Sequence, residues 1–189
     1  MIRMSLAVLA ILLSACSQQP PSQRAELPPA TTAPPHASCS AQASHDWSAV
    51  GSQYYLIEAE AEGPTCAEAQ ATMRIKSRDG VVLFERTYAT SAIPLAFSPN
   101  SDQTTLRSEV EAWAENAAET PTADWLPAWP AHAERPPFFQ PAVSRNVYEN
   151  ARGAQGPLFC FPDGSESNAC VAMAGDRATL LGSRTPERE

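Results

Sequence analysis

The sequence predicts an α+β domain, in which a small antiparallel sheet of five or six short strands carries one main amphipathic helix. Three observations predict it. Residues 71–78 and 81–88 alternate in polarity on either side of Asp79-Gly80. The stretch from Gln103 to Ala117 repeats its apolar residues at helical spacing. Beyond Cys16, the cysteines Cys39, Cys66, Cys160 and Cys170 are an even set of the kind that forms disulfides in exported domains. A β-sandwich with a helical insertion is the alternative arrangement of the same elements.

The chain opens with one positive charge, Arg3, then an unbroken apolar stretch from Leu6 to Leu13, then Leu13-Ser14-Ala15-Cys16. A charged start, a short apolar core and small residues at a cut site describe a secretory signal. As a helix, that apolar stretch rises only about 12 Å against the ~30 Å of a membrane interior, so it does not span. Leu13-Ser14-Ala15-Cys16 resembles the lipobox of bacterial lipoproteins, a resemblance confined to residues 1–16. It implies cleavage after Ala15, lipid on the Cys16 thiol and an acyl chain on its new amine. It also implies a membrane as partner, on the periplasmic side. Ser17, where an Asp would favour inner-membrane retention in some bacteria, points to the outer membrane.

Residues 16–38 read as the lipidated cysteine followed by a tether. SQQPPSQRAELPPATTAPPHAS holds the pairs Pro20-Pro21, Pro28-Pro29 and Pro34-Pro35 and almost no large apolar side chain. Such a composition cannot bury enough surface to offset its ordering entropy. Fully extended it reaches roughly 70 Å.

Residues 39–189 then form a single domain. Tyr54–Glu62 is a strand: Ile57, Ala59 and Ala61 face one way, Glu58, Glu60 and Glu62 the other. Asp79-Gly80 joins the next two strands as a hairpin. Arg74, Lys76 and Arg78 are placed to pair with the glutamates of the preceding strand. Ser101 or Asp102 caps the helix, whose stripe is Leu106, Val110, Trp113, Ala114 and Ala117. A short helix runs from Val143 to Arg152, ended by Gly153. The runs 158–161, 170–173 and 179–181 make a small meander, and the tail 183–189 frays. Of the three possible cysteine pairings, Cys160–Cys170 fits a hairpin around the turn-rich segment between them. Cys39–Cys66 then pins the N-terminal edge.

Between Glu119 and Pro141 lie Trp125, Trp129, Phe138 and Phe139 among Pro121, Pro127, Pro130, Pro136 and Pro137. Prolines at that density exclude a regular helix or a central strand. The four aromatics either fold back as a lid on the core or form a patch that docks a partner.

No catalytic or metal-binding signature is present, and no cofactor is implied. Ser44-His45-Asp46 holds the letters of a hydrolytic triad, but consecutive residues of an extended chain point to alternate faces. His132 lies near Glu134 without an identifiable nucleophile. Cysteine and histidine spacing does not fit zinc. The net charge of −8 argues against nucleic acid as a partner. The expected function is therefore a non-catalytic, membrane-anchored envelope module with an envelope protein as partner. Two alternatives are an inhibitor of a cationic hydrolase such as lysozyme and a small envelope hydrolase. Bacterial lysozyme inhibitors resemble this chain in type only, since Gly51-Ser52-Gln53-Tyr54 does not reproduce their Ser-Gly-x-x-Tyr motif.

Overall fold

The computed structural model describes residues 39–49, 53–115 and 121–186. The expected signal peptide, the expected lipobox with Cys16 and the expected tether lie outside the described residues, as does Ala117 at the expected helix end.

The α+β class holds. Among the described residues there are two antiparallel four-stranded sheets rather than one sheet of five or six strands. In the first sheet β1 (Cys39–Ala49), β2 (Gln53–Gly63), β3 (Gln70–Ser77) and β4 (Val82–Ala89) lie side by side in chain order. The helix α1 (Gln103–Glu115) follows, then β5 (Phe139–Pro141), α2 (Arg145–Ala154), β6 (Leu158–Pro162), β7 (Asn168–Ala174) and β8 (Arg177–Arg184). These last strands make the second sheet in the order β5-β8-β7-β6.

Side-chain size decides what covers the first sheet. One row across its inner face is Ala41, Ala61 and Ala71; the next is Ala43, Ala59 and Met73. This floor of small residues lets α1 approach β1 and β2 closely and seat Leu106, Val110, Trp113 and Ala114. Farther along, the rows turn large, with Trp47 opposite Tyr55 and Ile57 opposite Ile75. There the second sheet packs instead: Phe159 lies 5.6 Å from Trp47, and Phe161 lies 6.0 Å from Phe84, ring to ring. Asp102 caps α1 by accepting the Thr105 N–H at 2.7 Å, a bond that holds its carboxyl below the usual range.

The outer face of the first sheet is a charge ladder. Arg74 bridges Glu60 at 2.8 Å and Glu85 at 2.5 Å, and Lys76 bridges Glu58 at 2.5 Å. Gly80, at φ +81°, makes the β3–β4 turn that the Asp-Gly pair predicts.

The second sheet is buried on both faces. Phe159, Phe161, Val171 and Met173 join the first core. Leu158, Cys170, Ala172 and Leu181 face a second one, with Phe139, Tyr148, Leu126 and Ala123. Double-sided burial is why these strands read as continuous apolar runs and not as alternations. Both expected disulfides form: Cys39–Cys66 with Cα atoms 5.1 Å apart, and Cys160–Cys170 at 4.1 Å between directly opposed residues.

The second helix begins two residues later than expected, at Arg145, and two further boundaries also differ. The second helix passes through Gly153 and ends where Gln155 adopts φ +51° and donates its N–H to Arg152 O. The tail does not begin at Ser183: Ser183 and Arg184 belong to β8, and the Thr185 N–H bonds Phe138 O at 2.9 Å. The partner strand β5 comes from far back in the chain, so local composition gives no sign of it.

Candidate functional site

The proline-aromatic segment has few N–H donors of its own, so its carbonyls need donors from elsewhere. The helix α2 supplies them from one face. Arg145, Tyr148, Glu149 and Arg152 lie at i, i+3, i+4 and i+7. Arg152 Nε donates to Leu126 O at 2.9 Å and the Tyr148 hydroxyl donates to Pro127 O at 2.8 Å. Arg145 donates to Trp129 O at 2.7 Å and to Ala131 O at 2.8 Å. Glu149 accepts the Trp129 N–H at 2.8 Å and pairs with Arg152 at 2.9 Å. The helix thus clasps an irregular strap through hydrogen bonds, with Tyr148 as its one fully buried side chain.

Electrostatics within the clasp follow from this geometry. Burial pushes Glu149 up, but the Trp129 N–H and the Arg152 and Arg145 guanidiniums outweigh it and leave its carboxyl lowered overall. Burial raises the Tyr148 phenol to about 12, with Arg152 opposing and Glu149 assisting.

The clasp sorts the four aromatics into two pairs. Trp129 is partly buried, its indole N–H donating to Ala133 O at 3.0 Å and its ring 5.6 Å from Tyr148. Phe139 is buried at 2 % exposure, its ring 5.2 Å from Tyr148. Trp125 and Phe138 point out, 53 % and 45 % exposed. Lid and patch were alternatives for the whole segment; Trp129 and Phe139 fold inward, while Trp125 and Phe138 are exposed.

The opposite fates of Phe138 and Phe139 have a backbone cause. Phe138 sits at φ +52°, in the left-handed region that bulky residues rarely adopt. That kink turns one ring outward and the next inward. Beside it, two open grooves of about 440 and 420 Å³ flank the shared wall formed by Thr185 and Pro186. Exposed Leu95 and Arg184 line the first, and Pro137 and Phe138 line the second. The Arg184 guanidinium stacks over Trp125 at 4.4 Å from the ring centroid. Ser165, Glu166 and Asn168 also line the first groove and Arg135 and Gln140 the second, so polar and charged side chains share these walls with apolar ones.

The other candidates do not converge. Ser44 and Asp46 are exposed on the outer face of β1, while His45 points to the inner face. Asp46 accepts a bond from the Tyr54 hydroxyl. His132 and Glu134 are both exposed. Among the described residues no group of three or more His, Cys, Asp or Glu side chains is placed to hold a metal ion. No helix among them is long and apolar enough to cross a membrane.

Sequence reasoning missed the clasp residues and Arg184. The available signal was a stripe of Arg, Tyr, Glu and Arg at helical spacing beside a segment rich in carbonyls and poor in donors. No family model, curated protein or solved structure matches this chain.

Proposed function

We propose that this chain is a lipid-anchored envelope module that captures a protein partner through the surface around Trp125, Phe138 and Arg184. The signal and lipobox of residues 1–16 support the anchor, and Cys16 is its attachment point, on the periplasmic side of the outer membrane. One observation carries the partner reading. Two large aromatics are held out by a strap that is itself fixed by five clasp hydrogen bonds from α2, and one of them adopts a strained backbone to do so. A rigid, exposed aromatic loses little entropy on docking. The stacked Arg184 adds a cation for an acidic group on the partner.

The test is made on the full chain in cells. Photocrosslinkers at Trp125 and Phe138 should trap the same protein, and one at Thr87, on the outer face of the first sheet, should not. Trp125→Ala should abolish capture while leaving the unfolding free energy from urea titration within about 1 kcal/mol of the parent. Equal capture at all three positions sinks the patch reading. The anchor is tested separately by the mass of the N-terminal peptide and by release of Cys16→Ser from the membrane fraction.

A further inference from the structure

Sheet edges invite pairing with other chains, and proteins guard them with bulges, charges, prolines or shortness. The other three edges here are guarded. The β3–β4 pairing slips between Ile75 and Lys76, and β4 carries Glu85 and Arg86. Both β5 and β6 are short and end in Pro141 and Pro162. By contrast β1 runs for 11 residues in unbroken register with β2, and CSAQASHDWSA holds no Lys, Arg, Pro or Gly and a single acidic side chain, Asp46.

The direction of its main-chain groups can be fixed. The Gln103 side chain bonds both the N–H and the C=O of Ser40, so those groups point away from β2. By the period of two, so do those of Gln42, Ser44, Asp46 and Ser48. All four residues are exposed, and their outward main-chain groups have no hydrogen-bond partner among the described residues. Gln103 therefore closes one end of the edge and leaves 42–48 open.

We propose that β1 is the docking edge for a second copy of this chain, with β1 meeting β1 antiparallel about a two-fold axis at His45. This does not rest on the anchor or on the aromatic patch. The open run 42–48 is centred on His45, so that axis alone uses all of it. Gln42 then lies opposite Ser48 of the second copy, and Ser44 opposite its Asp46, making about eight main-chain hydrogen bonds. An axis at Asp46 would oppose two carboxylates, and one at Ser44 would drive Ser48 into the Gln103 cap. Across this register each Asp46 lies opposite Ser44 of the other copy, so the two carboxylates fall on the diagonal and are not directly opposed.

Single cysteines in the full chain test the register. His45→Cys should give a disulfide-linked species of twice the chain mass on a non-reducing gel, with the parent chain as background. Gln42→Cys alone should not, because its copies lie roughly 20 Å apart in this register. Gln42→Cys mixed with Ser48→Cys should restore the crosslink. Ser44→Pro removes an outward N–H without touching the β1–β2 ladder. It should abolish the dimer in sedimentation while the circular dichroism spectrum is unchanged. Monomer at all positions, crosslinking of Gln42→Cys equal to that of His45→Cys, a different protein trapped at His45, or a dimer that survives Ser44→Pro would each overturn the proposal.

Discussion

Replacing Phe138 separates backbone strain from side-chain contact. A residue with a Cβ in the left-handed region bears about 1–2 kcal/mol of steric strain, which glycine escapes. Elsewhere glycine is the weaker residue by about 0.5–1 kcal/mol because its unfolded chain is freer. At φ +52° the first effect outweighs the second. Phe138→Gly should therefore be more stable than Phe138→Ala by roughly 0.5–1 kcal/mol, inverting the ordinary order. Both variants lose the same ring, which is 45 % exposed and contributes only about half of a full phenylalanine burial, so the comparison cancels it. In a domain of this size the gap corresponds to about 1–4 °C in Tm, measurable by calorimetry or urea titration. If the strained aromatic serves docking, both variants also lose capture, including the more stable one. An alanine variant at least as stable as the glycine one would refute the strain argument.

Three further predictions follow from other parts of the fold. Tyr88 and Tyr148 are both raised to about 12, Tyr88 by burial first and then by Asp163, Tyr148 by burial. The folded state therefore keeps protons that the unfolded state releases above pH 10, and stability should fall as pH rises from 10 to 12; a flat urea midpoint across that window would contradict it. Arg145→Ala leaves the carbonyls of Trp129 and Ala131 without their donor. It should cost roughly 1–3 kcal/mol and red-shift tryptophan emission; unchanged emission would show that the strap is held without it. In Gly182→Ala the added Cβ would stand 2.1 Å from Gln140 O at φ +144°, so β5 should detach, seen as fast amide exchange at Ala142 and Thr185, whose N–H groups bridge β5 and β8.

The parts of the fold legible in the sequence were those whose cause is local. Asp79-Gly80 between alternating runs announces its hairpin, and the stripe Leu106–Val110–Trp113 needs only a helical period to be seen. The strand β1 was harder, because Ala41 and Ala43 alternating with Ser40, Gln42 and Ser44 gives almost no contrast in polarity. The α1 helix buries those alanines because they are small, a reason that exists only in three dimensions. Likewise β5 is a three-residue edge strand among prolines, made by pairing with residues more than forty positions later. The candidate aromatics were visible as a group. Which two turn outward was not, since the sorting depends on a left-handed residue and on donors from α2.

The position of the first disulfide has a mechanical consequence. Cys39 begins β1 and lies opposite Gly63, with Cys66 just beyond. If residues 16–38 tether the domain as proposed, tension through them would enter at the corner of an edge strand. In a two-stranded ladder that is where peeling starts, one hydrogen-bonded pair after another from Cys39↔Gly63 onward. The Cys39–Cys66 bond passes the pull covalently to the far side of β2, so β1 cannot be unzipped from that end. Reduction would remove that covalent clamp and let this edge strand peel away from its loaded corner.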